Sequence, residues 1–164
     1  MELSTENWAE REITAYEIER GKPMPSLNHS FVQNNLLTEL NLNYRQQFTF
    51  LPELSIEMPQ KPNCVPDISI YPKMKVNFRH DIIAFSQMPL TAIEIVSPTQ
   101  SNDEILLKFE RYFLAGVQSC WLVMPSLEAI NVYSYIGKYK FFDNEMTLFD
   151  KVTNIEISLA EIFN

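Results

Sequence analysis

Two short apolar segments decide the fold of this chain: VPDISIY over residues 65–71 and TAIEIVSP over residues 91–98. Each is short, rich in β-branched residues and bounded by proline, which predicts a buried β-strand. Each also carries one acid, Asp67 in the first and Glu94 in the second. Because a buried acid is costly unless a charge meets it, two acids on neighbouring strands predict a shared cation. A surface face or a satisfied ion pair is the alternative.

Helices and further strands surround these two segments. Hydrophobic residues four apart predict a helix over residues 28–44, and a second amphipathic helix is predicted over residues 102–116. Lys108 falls about 60° from the apolar line of the second helix, so its side chain can reach toward the sheet. Other predicted helices cover residues 4–12 and 158–163, and other predicted strands cover residues 16–18, 48–51, 54–58, 119–124, 130–135, 139–142 and 145–149.

Composition limits the class of protein. A length of 164 residues and 46% hydrophobic content fit one domain over residues 1–164 with a substantial core. No run of about twenty apolar residues occurs, so we expect neither a membrane span nor secretion, and a cytoplasmic location follows. Cys64 and Cys120 lie beside apolar strand residues, which predicts buried thiols. The net charge of −8 argues against a broad surface for nucleic acid, although not against a local one.

The order of the motifs resembles a known family. Pro66-Asp67 precedes a strand, Glu94 lies within a strand that ends in Ser-Pro, and Lys108 and Tyr112 lie four apart on the next helix. Gly116 then leads into the Trp-Leu-Val strand at residues 121–123. This set resembles the Uma-two endonuclease family of the restriction-endonuclease-like superfamily, whose sites are written PD-(D/E)XK. The resemblance extends from about residue 16 to residue 133.

The resemblance implies an α/β (mixed α+β) core in which helices flank a mixed sheet that carries a metal-dependent phosphodiesterase site. The implied substrate is nucleic acid, which we take to be DNA, and Asp67 and Glu94 would be the carboxylate ligands. Hard oxygen ligands suit Mg²⁺ or Mn²⁺. The superfamily lysine lies two residues after the strand acid, where this chain has Val96. Some members carry that lysine on the following helix, which makes Lys108 the candidate.

Two further site predictions carry explicit alternatives. Superfamily members often use a helical acid as an additional metal ligand, and Glu39 is the candidate by position; a solvated helix acid is the alternative. Lys73, Lys75 and Arg79 form a basic cluster that starts two residues after the Asp67 strand, where a loop next to the metal site could hold a phosphate backbone. The alternative there is a solvated loop whose charges offset the acidic surface.

Two functional hypotheses follow from these residues. The first is an endonuclease in which Asp67, Glu94 and Lys108 carry out the chemistry. The second is a nuclease-fold binding or assembly module that has lost catalysis, because valine at position 96 can neither orient water nor stabilise developing charge. Apolar strand and hairpin residues near the C-terminus also indicate a homodimer.

Overall fold

The computed structural model describes residues 12–164, leaving aside the side chains of Tyr16, Glu19 and Arg20. Two short 3₁₀ turns lie at Pro125–Leu127 and Leu159–Glu161. The helices and strands follow in this order: α1 Ala15–Arg20, α2 Leu27–Tyr44, β1 Phe48–Pro52, β2 Ile68–Pro72, β3 Thr91–Ile95, α3 Asn102–Leu114, β4 Ser119–Met124, β5 Ala129–Tyr135, β6 Lys138–Phe142, β7 Thr147–Asp150 and β8 Ile155–Ser158.

Six strands form one mixed sheet in the order β1-β2-β3-β4-β5-β6, and β7 and β8 form a separate hairpin. β3 and β4 run parallel, whereas the other neighbours in the large sheet run antiparallel. Parallel neighbours need a crossover connection, and α3 supplies it between β3 and β4. The predicted mixed α/β class is therefore confirmed.

The two long helices cover opposite faces of the sheet. Each begins at a serine whose hydroxyl accepts a backbone N–H: Ser26 caps α2 and Ser101 caps α3. The predicted stripe on α2 is buried, and it packs in one core cluster with the isoleucines of β2 and β3. The apolar side of α3 packs in the other cluster, together with Ala92 of β3 and the opposite face of β4. Strand alternation thus sends Ile93 toward α2 and Glu94 toward α3.

The predicted strand over residues 16–18 is wrong, because this segment belongs to α1. Thr14 and Glu17 form a reciprocal capping box in which each side chain accepts the other residue's backbone N–H. Gly21 ends the helix in the left-handed conformation, with φ of 68°. These local hydrogen bonds outweigh the strand preference of the β-branched and aromatic residues. The helix predicted over residues 4–12 lies, apart from Glu12, outside the described residues.

Two other predictions change at the level of single elements, and one strand was not predicted. Residues 54–58 form no ladder; Ile56 makes isolated bridges to Cys64 and Phe85. The strand β8 was not predicted. It pairs antiparallel with β7, with Ser158 opposite Thr147. The last predicted helix is one 3₁₀ turn, and the hydroxyl of Ser158 makes no capping hydrogen bond there. The remaining predicted strands and long helices are confirmed to within a few residues.

Within residues 12–164, no helix combines the length and the apolar character that a membrane crossing would require. Cys64 and Cys120 are both buried free thiols, as predicted.

The β7–β8 hairpin is joined to the large sheet by a buried acid. One carboxylate oxygen of Asp150 accepts hydrogen bonds from Ser119 Oγ and from Trp121 Nε1, both at 2.7 Å. Asp150 is 1% exposed and Trp121 is completely buried. The hydroxyl of Ser119 also pairs with that of Thr91 at 2.6 Å, so the network extends across β3 and β4.

We expect Asp150→Ala to lower the free energy of unfolding by about 2 to 3 kcal/mol, because the Trp121 indole N–H then loses its acceptor in the core. Glu145→Ala, which removes the same charge from an exposed turn, should change it by less than about 0.5 kcal/mol. Urea unfolding followed by tryptophan fluorescence measures both. Equal unfolding midpoints for the two variants would contradict the role given to Asp150.

Candidate functional site

Asp67 and Glu94 meet across two neighbouring strands. Asp67 lies immediately before β2, which begins at Ile68 rather than at residue 65. Ile68 is paired with Ile93, so continuing the antiparallel register by one residue places Asp67 opposite Glu94. Both acids are 1% exposed. The two predicted ligands are therefore neighbours in a nearly dry environment.

Asp67 is fixed by groups from three parts of the chain. Its Oδ1 lies 2.6 Å from the ammonium of Lys22 and 3.1 Å from Nε2 of His29 on α2. Its Oδ2 accepts the backbone N–H of Ile95 at the end of β3, at 2.7 Å. Both carboxylate oxygens thus have protein donors, and the side chain is held in one orientation.

Lys22 supplies the cation that the two strand acids require. Its Nζ lies 2.6 Å from Asp67, 3.6 Å from Glu53 Oε2 and 3.9 Å from Glu94 Oε2. The side chain is 3% exposed, so the ammonium is withdrawn from water among three carboxylates. The sequence interpretation did not include Lys22 among the site residues, because it lies in the turn after α1, where no periodicity marks a buried side chain.

The conformation of the α1 turn explains how Lys22 reaches the acids. Gly21 turns the chain, and the backbone N–H of Lys22 then donates to the carbonyl of Glu17 at 3.3 Å. The Glu17 carboxylate, itself 4% exposed, accepts the N–H of Met24 at 2.6 Å. The segment on both sides of Lys22 is thereby tied to α1. The Thr14-x-x-Glu17 box and Gly21 were the sequence signals for this turn.

Glu53 is a second site residue that the sequence interpretation missed. It follows β1 in the left-handed region, with φ of 53°, a conformation that costs a non-glycine residue about 1 to 2 kcal/mol. Its N–H donates to the carbonyl of Asp67 at 3.2 Å, and Gln33 Nε2 of α2 donates to the same carbonyl at 2.9 Å. The end of β1 is thereby fastened beside Asp67, and the Glu53 carboxylate reaches Lys22.

Glu94 is held from the side of α3. The hydroxyl of Tyr112 donates to Glu94 Oε1 at 2.7 Å, and Lys108 Nζ lies 3.9 Å from Oε2. Tyr112 is completely buried, whereas the Lys108 side chain is 21% exposed. Lys108 therefore reaches toward the sheet, as predicted from its angle on the helix. It also remains accessible from solvent.

Burial and charge shift the pKa values of the cluster in different directions. Burial opposes ionisation of Asp67, but Lys22 and the hydrogen bond and charge of His29 hold the pKa of Asp67 well below its ordinary value. For Glu94 burial prevails, and its pKa is raised despite the two lysines. Burial also opposes the charge on Lys22, yet the carboxylates of Glu94, Asp67 and Glu53 together raise its pKa. Lys22 therefore stays an ammonium at neutral pH.

The donor chemistry of this cluster fits a hard cation, and the position for that cation is occupied by Lys22. Three carboxylates lie within 4 Å of its Nζ, a donor set that would suit Mg²⁺ or Mn²⁺. Within residues 12–164, however, no three His, Cys, Asp or Glu side chains are arranged to hold a metal ion. The cation that meets these acids in the structure is therefore the ammonium of Lys22.

The other predicted site residues lie apart from the acids. Glu39 lies nearly three turns after His29 on α2, about 15 Å along the axis, and its carboxylate accepts Asn43 Nδ2 at 3.3 Å. Val96 follows β3, and its N–H donates to the carbonyl of Val123.

The basic loop lies at the other end of β2 from Asp67. Lys73 directly follows β2, about 20 Å along the strand from the acid, so the expected position next to the site is corrected. Lys73 Nζ donates to the carbonyl of Arg45 at 2.7 Å, and Lys75 and Arg79 are exposed.

Comparison with known proteins identifies relatives of the fold. The family model of Uma2, described as a putative restriction endonuclease, matches residues 5–154, that is 150 of the 164 residues. The predicted resemblance to this family is confirmed. The chain is also similar to the crystal structure of a putative nuclease belonging to DUF820 from Anabaena variabilis ATCC 29413. The two share 23% sequence identity with a TM-score of 0.73, over 86% of this chain and 83% of the other. No curated protein gives a significant match.

We expect Tyr112→Phe to lower the free energy of unfolding by about 2 kcal/mol, because the hydroxyl bonds a buried carboxyl group. Tyr71→Phe is the matched control: Tyr71 is equally buried, but its hydroxyl donates to the Gln87 carbonyl, so a loss of about 1 kcal/mol is expected. Urea unfolding compares the two variants. A loss for Tyr112→Phe no larger than that for Tyr71→Phe would show that Glu94 does not depend on this hydrogen bond.

Proposed function

The chain belongs to the Uma2 family, described as putative restriction endonucleases, and from this premise we propose that it is a metal-dependent endonuclease hydrolysing phosphodiester bonds in DNA. The observation that carries the proposal is the pair of buried carboxylates, Asp67 and Glu94, opposed across β2 and β3 with lysines against both. Such a pair has little structural reason to be buried unless cations meet it.

Asp67 and Glu94 would hold Mg²⁺ or Mn²⁺. A bound divalent cation polarises the phosphoryl group and favours attack by water. The residues around the acids orient them for this purpose. His29 and the Ile95 N–H fix the two oxygens of Asp67, and Tyr112 fixes Glu94 Oε1. Ligands held in this way need no reorganisation when the substrate binds.

Lys108 would supply the positive charge that Val96 cannot supply. Its ammonium lies 3.9 Å from Glu94 Oε2 on a side chain that solvent reaches. A phosphate group approaching Glu94 from the α3 side would therefore meet this charge. We assign Lys108 the role of binding the phosphoryl oxygens and stabilising the negative charge that develops on them. Glu39 has no part in this proposal, since it lies far along α2.

Nucleic acid would also contact the basic loop. Lys75 and Arg79 are exposed, and neither needs to move to reach a phosphate. The distance of about 20 Å from this loop to Asp67 corresponds to about six base pairs of duplex, so one substrate can span both.

A homodimer belongs to the same proposal: β6 forms an edge of the sheet, and Tyr139 and Phe141 on it are exposed.

We expect the protein to nick plasmid DNA in the presence of Mg²⁺ or Mn²⁺, and Asp67→Asn or Glu94→Gln to reduce the rate by about 100-fold or more. Each substitution keeps the shape of the side chain and removes the charged oxygen ligand. Glu145→Gln, in an exposed turn, is the control for a lost acid and should nick as the wild type does. Calorimetry with Mn²⁺ measures metal binding by the same variants, and thermal melting shows that they are folded.

Nicking that survives both substitutions would refute the catalytic assignment. Metal-independent DNA binding without any nicking would favour the alternative, a nuclease-fold binding module without catalysis. The observation that favours this alternative is Val96 at the usual lysine position.

We expect the double variant Lys75→Gln/Arg79→Gln to bind duplex DNA more weakly and to lower the slope of log K against log salt by about two units, because each cation neutralises one phosphate. Lys61→Gln/Lys151→Gln removes two exposed charges from elsewhere and is the matched control. Fluorescence anisotropy without divalent cations measures both. Equal slopes for the two double variants would show that the loop does not contact DNA.

A further inference from the structure

The ammonium of Lys22 and a metal ion bound by Asp67 and Glu94 would need the same space. Lys22 Nζ is 2.6 Å from Asp67 Oδ1, a distance at which no other cation fits between the two atoms. It is also within 4 Å of one oxygen of Glu94. Two cations at such short range in a site of low polarity repel each other strongly. A divalent ion and Lys22 therefore cannot occupy the position together.

We propose that Lys22 is an internal counter-ion that holds the cation position among Glu53, Asp67 and Glu94, and that a divalent cation binds there only by displacing it. The inference rests on the proposed function, since it concerns the same pair of acids. It adds two residues to the proposed metal site: Lys22 as the competing cation, and Glu53 as a third carboxylate that faces the cation position. It also makes the affinity for metal depend on a residue outside the strands.

The structure has space next to Lys22 for the displaced side chain. A cleft of about 490 Å³ opens beside it, lined by Gly21, Lys22 and Pro23 on one side and by Thr99 and Glu104 on the other. Glu104 is an exposed acid in the first turn of α3, so the ammonium can exchange buried carboxylates for one in solvent.

Lys22 also neutralises the charge of the three acids when no divalent ion is bound. Three acids converge at this point, and two of them are almost completely buried. Loss of Lys22 would remove the ammonium that lies within 4 Å of all three, and breaking a buried ion pair by removing one partner is strongly destabilising. Lys22 satisfies them until a divalent ion takes over, so the fold does not require the metal to form.

The first test uses the unaltered chain. An N-hydroxysuccinimide ester acetylates exposed amines, and mass spectrometry of the digested protein reports each lysine separately. We expect Lys22 to be protected without metal and to become labelled at least about fivefold faster with saturating Mn²⁺, because it moves from 3% exposure into the cleft. Lys73, at the other end of β2, should be labelled equally in both conditions.

The second test compares two variants that each remove one positive charge beside Glu94. The Nζ atoms of Lys22 and Lys108 lie at the same 3.9 Å from Glu94 Oε2, but Lys22 alone of the two also contacts Asp67 and Glu53. We expect Lys22→Met to bind Mn²⁺ about tenfold or more tightly than the wild type, and Lys108→Met to gain less than about threefold. Lys22→Met should also melt at a lower temperature without metal and recover with Mn²⁺.

The outcomes separate the two proposals. If the wild type binds Mn²⁺ but Lys22 stays protected and Lys22→Met binds no more tightly, the counter-ion role is refuted and the metal site stands. If neither the wild type nor Lys22→Met binds Mn²⁺, both the metal site and the role of Lys22 fall. If Lys22→Met does not fold without metal, the labelling of the wild type still decides the question.

Discussion

The carboxylate of Asp67 is 1% exposed and lies 2.6 Å from the ammonium of Lys22, and the parts of the chain around the site are arranged to satisfy this charge. The turn after α1 brings Lys22, α2 brings His29, and the end of β3 brings the Ile95 N–H. Lys22 and His29 lie about 40 residues before Asp67, and Ile95 lies 28 residues after it, so these contacts tie the α1 turn and α2 to the sheet at the point where β2 begins. A buried charge imposes such convergence because every one of its oxygens needs a donor.

Stability alone does not explain why three carboxylates and two lysines should gather there. A buried ion-pair cluster contributes less than apolar side chains of the same volume would, because desolvation offsets most of the attraction. The backbone at Glu53 adds strain from its positive φ, and the raised pKa of Glu94 reflects burial that the neighbouring cations do not fully compensate. Strain and perturbed pKa values concentrated in one place are typical of functional sites. This combination is the reason why the cluster is the candidate functional site.

Local patterns sufficed to predict the strand acids, the apolar stripe of α2 and the inward reach of Lys108, because periodicity directly determines which face a side chain lies on. They did not suffice for Lys22 and Glu53. Both follow the end of a regular element, where no periodicity applies, and each acquires its role from residues distant in sequence. The strand predicted over residues 54–58 failed for a related reason: alternation indicates a strand but does not supply a neighbouring one, and Ile56 finds only isolated bridges.

The catalytic lysine of this superfamily need not lie on the strand itself, because of the flexibility of its side chain. An ammonium is a compact charge on a flexible stem, so it can reach a carboxylate from many backbone positions, whereas carboxylate ligands must be held by rigid strands. Val96 therefore need not disable the site, since Lys108 from α3 and Lys22 from the α1 turn both place an ammonium within 4 Å of Glu94. The two lysines differ in what surrounds them: the Lys22 side chain is 3% exposed among three acids, whereas the Lys108 side chain is 21% exposed and contacts one acid. Burial suits Lys22 to balancing charge inside the fold, whereas Lys108 is the lysine of the two that a group approaching from solvent can contact.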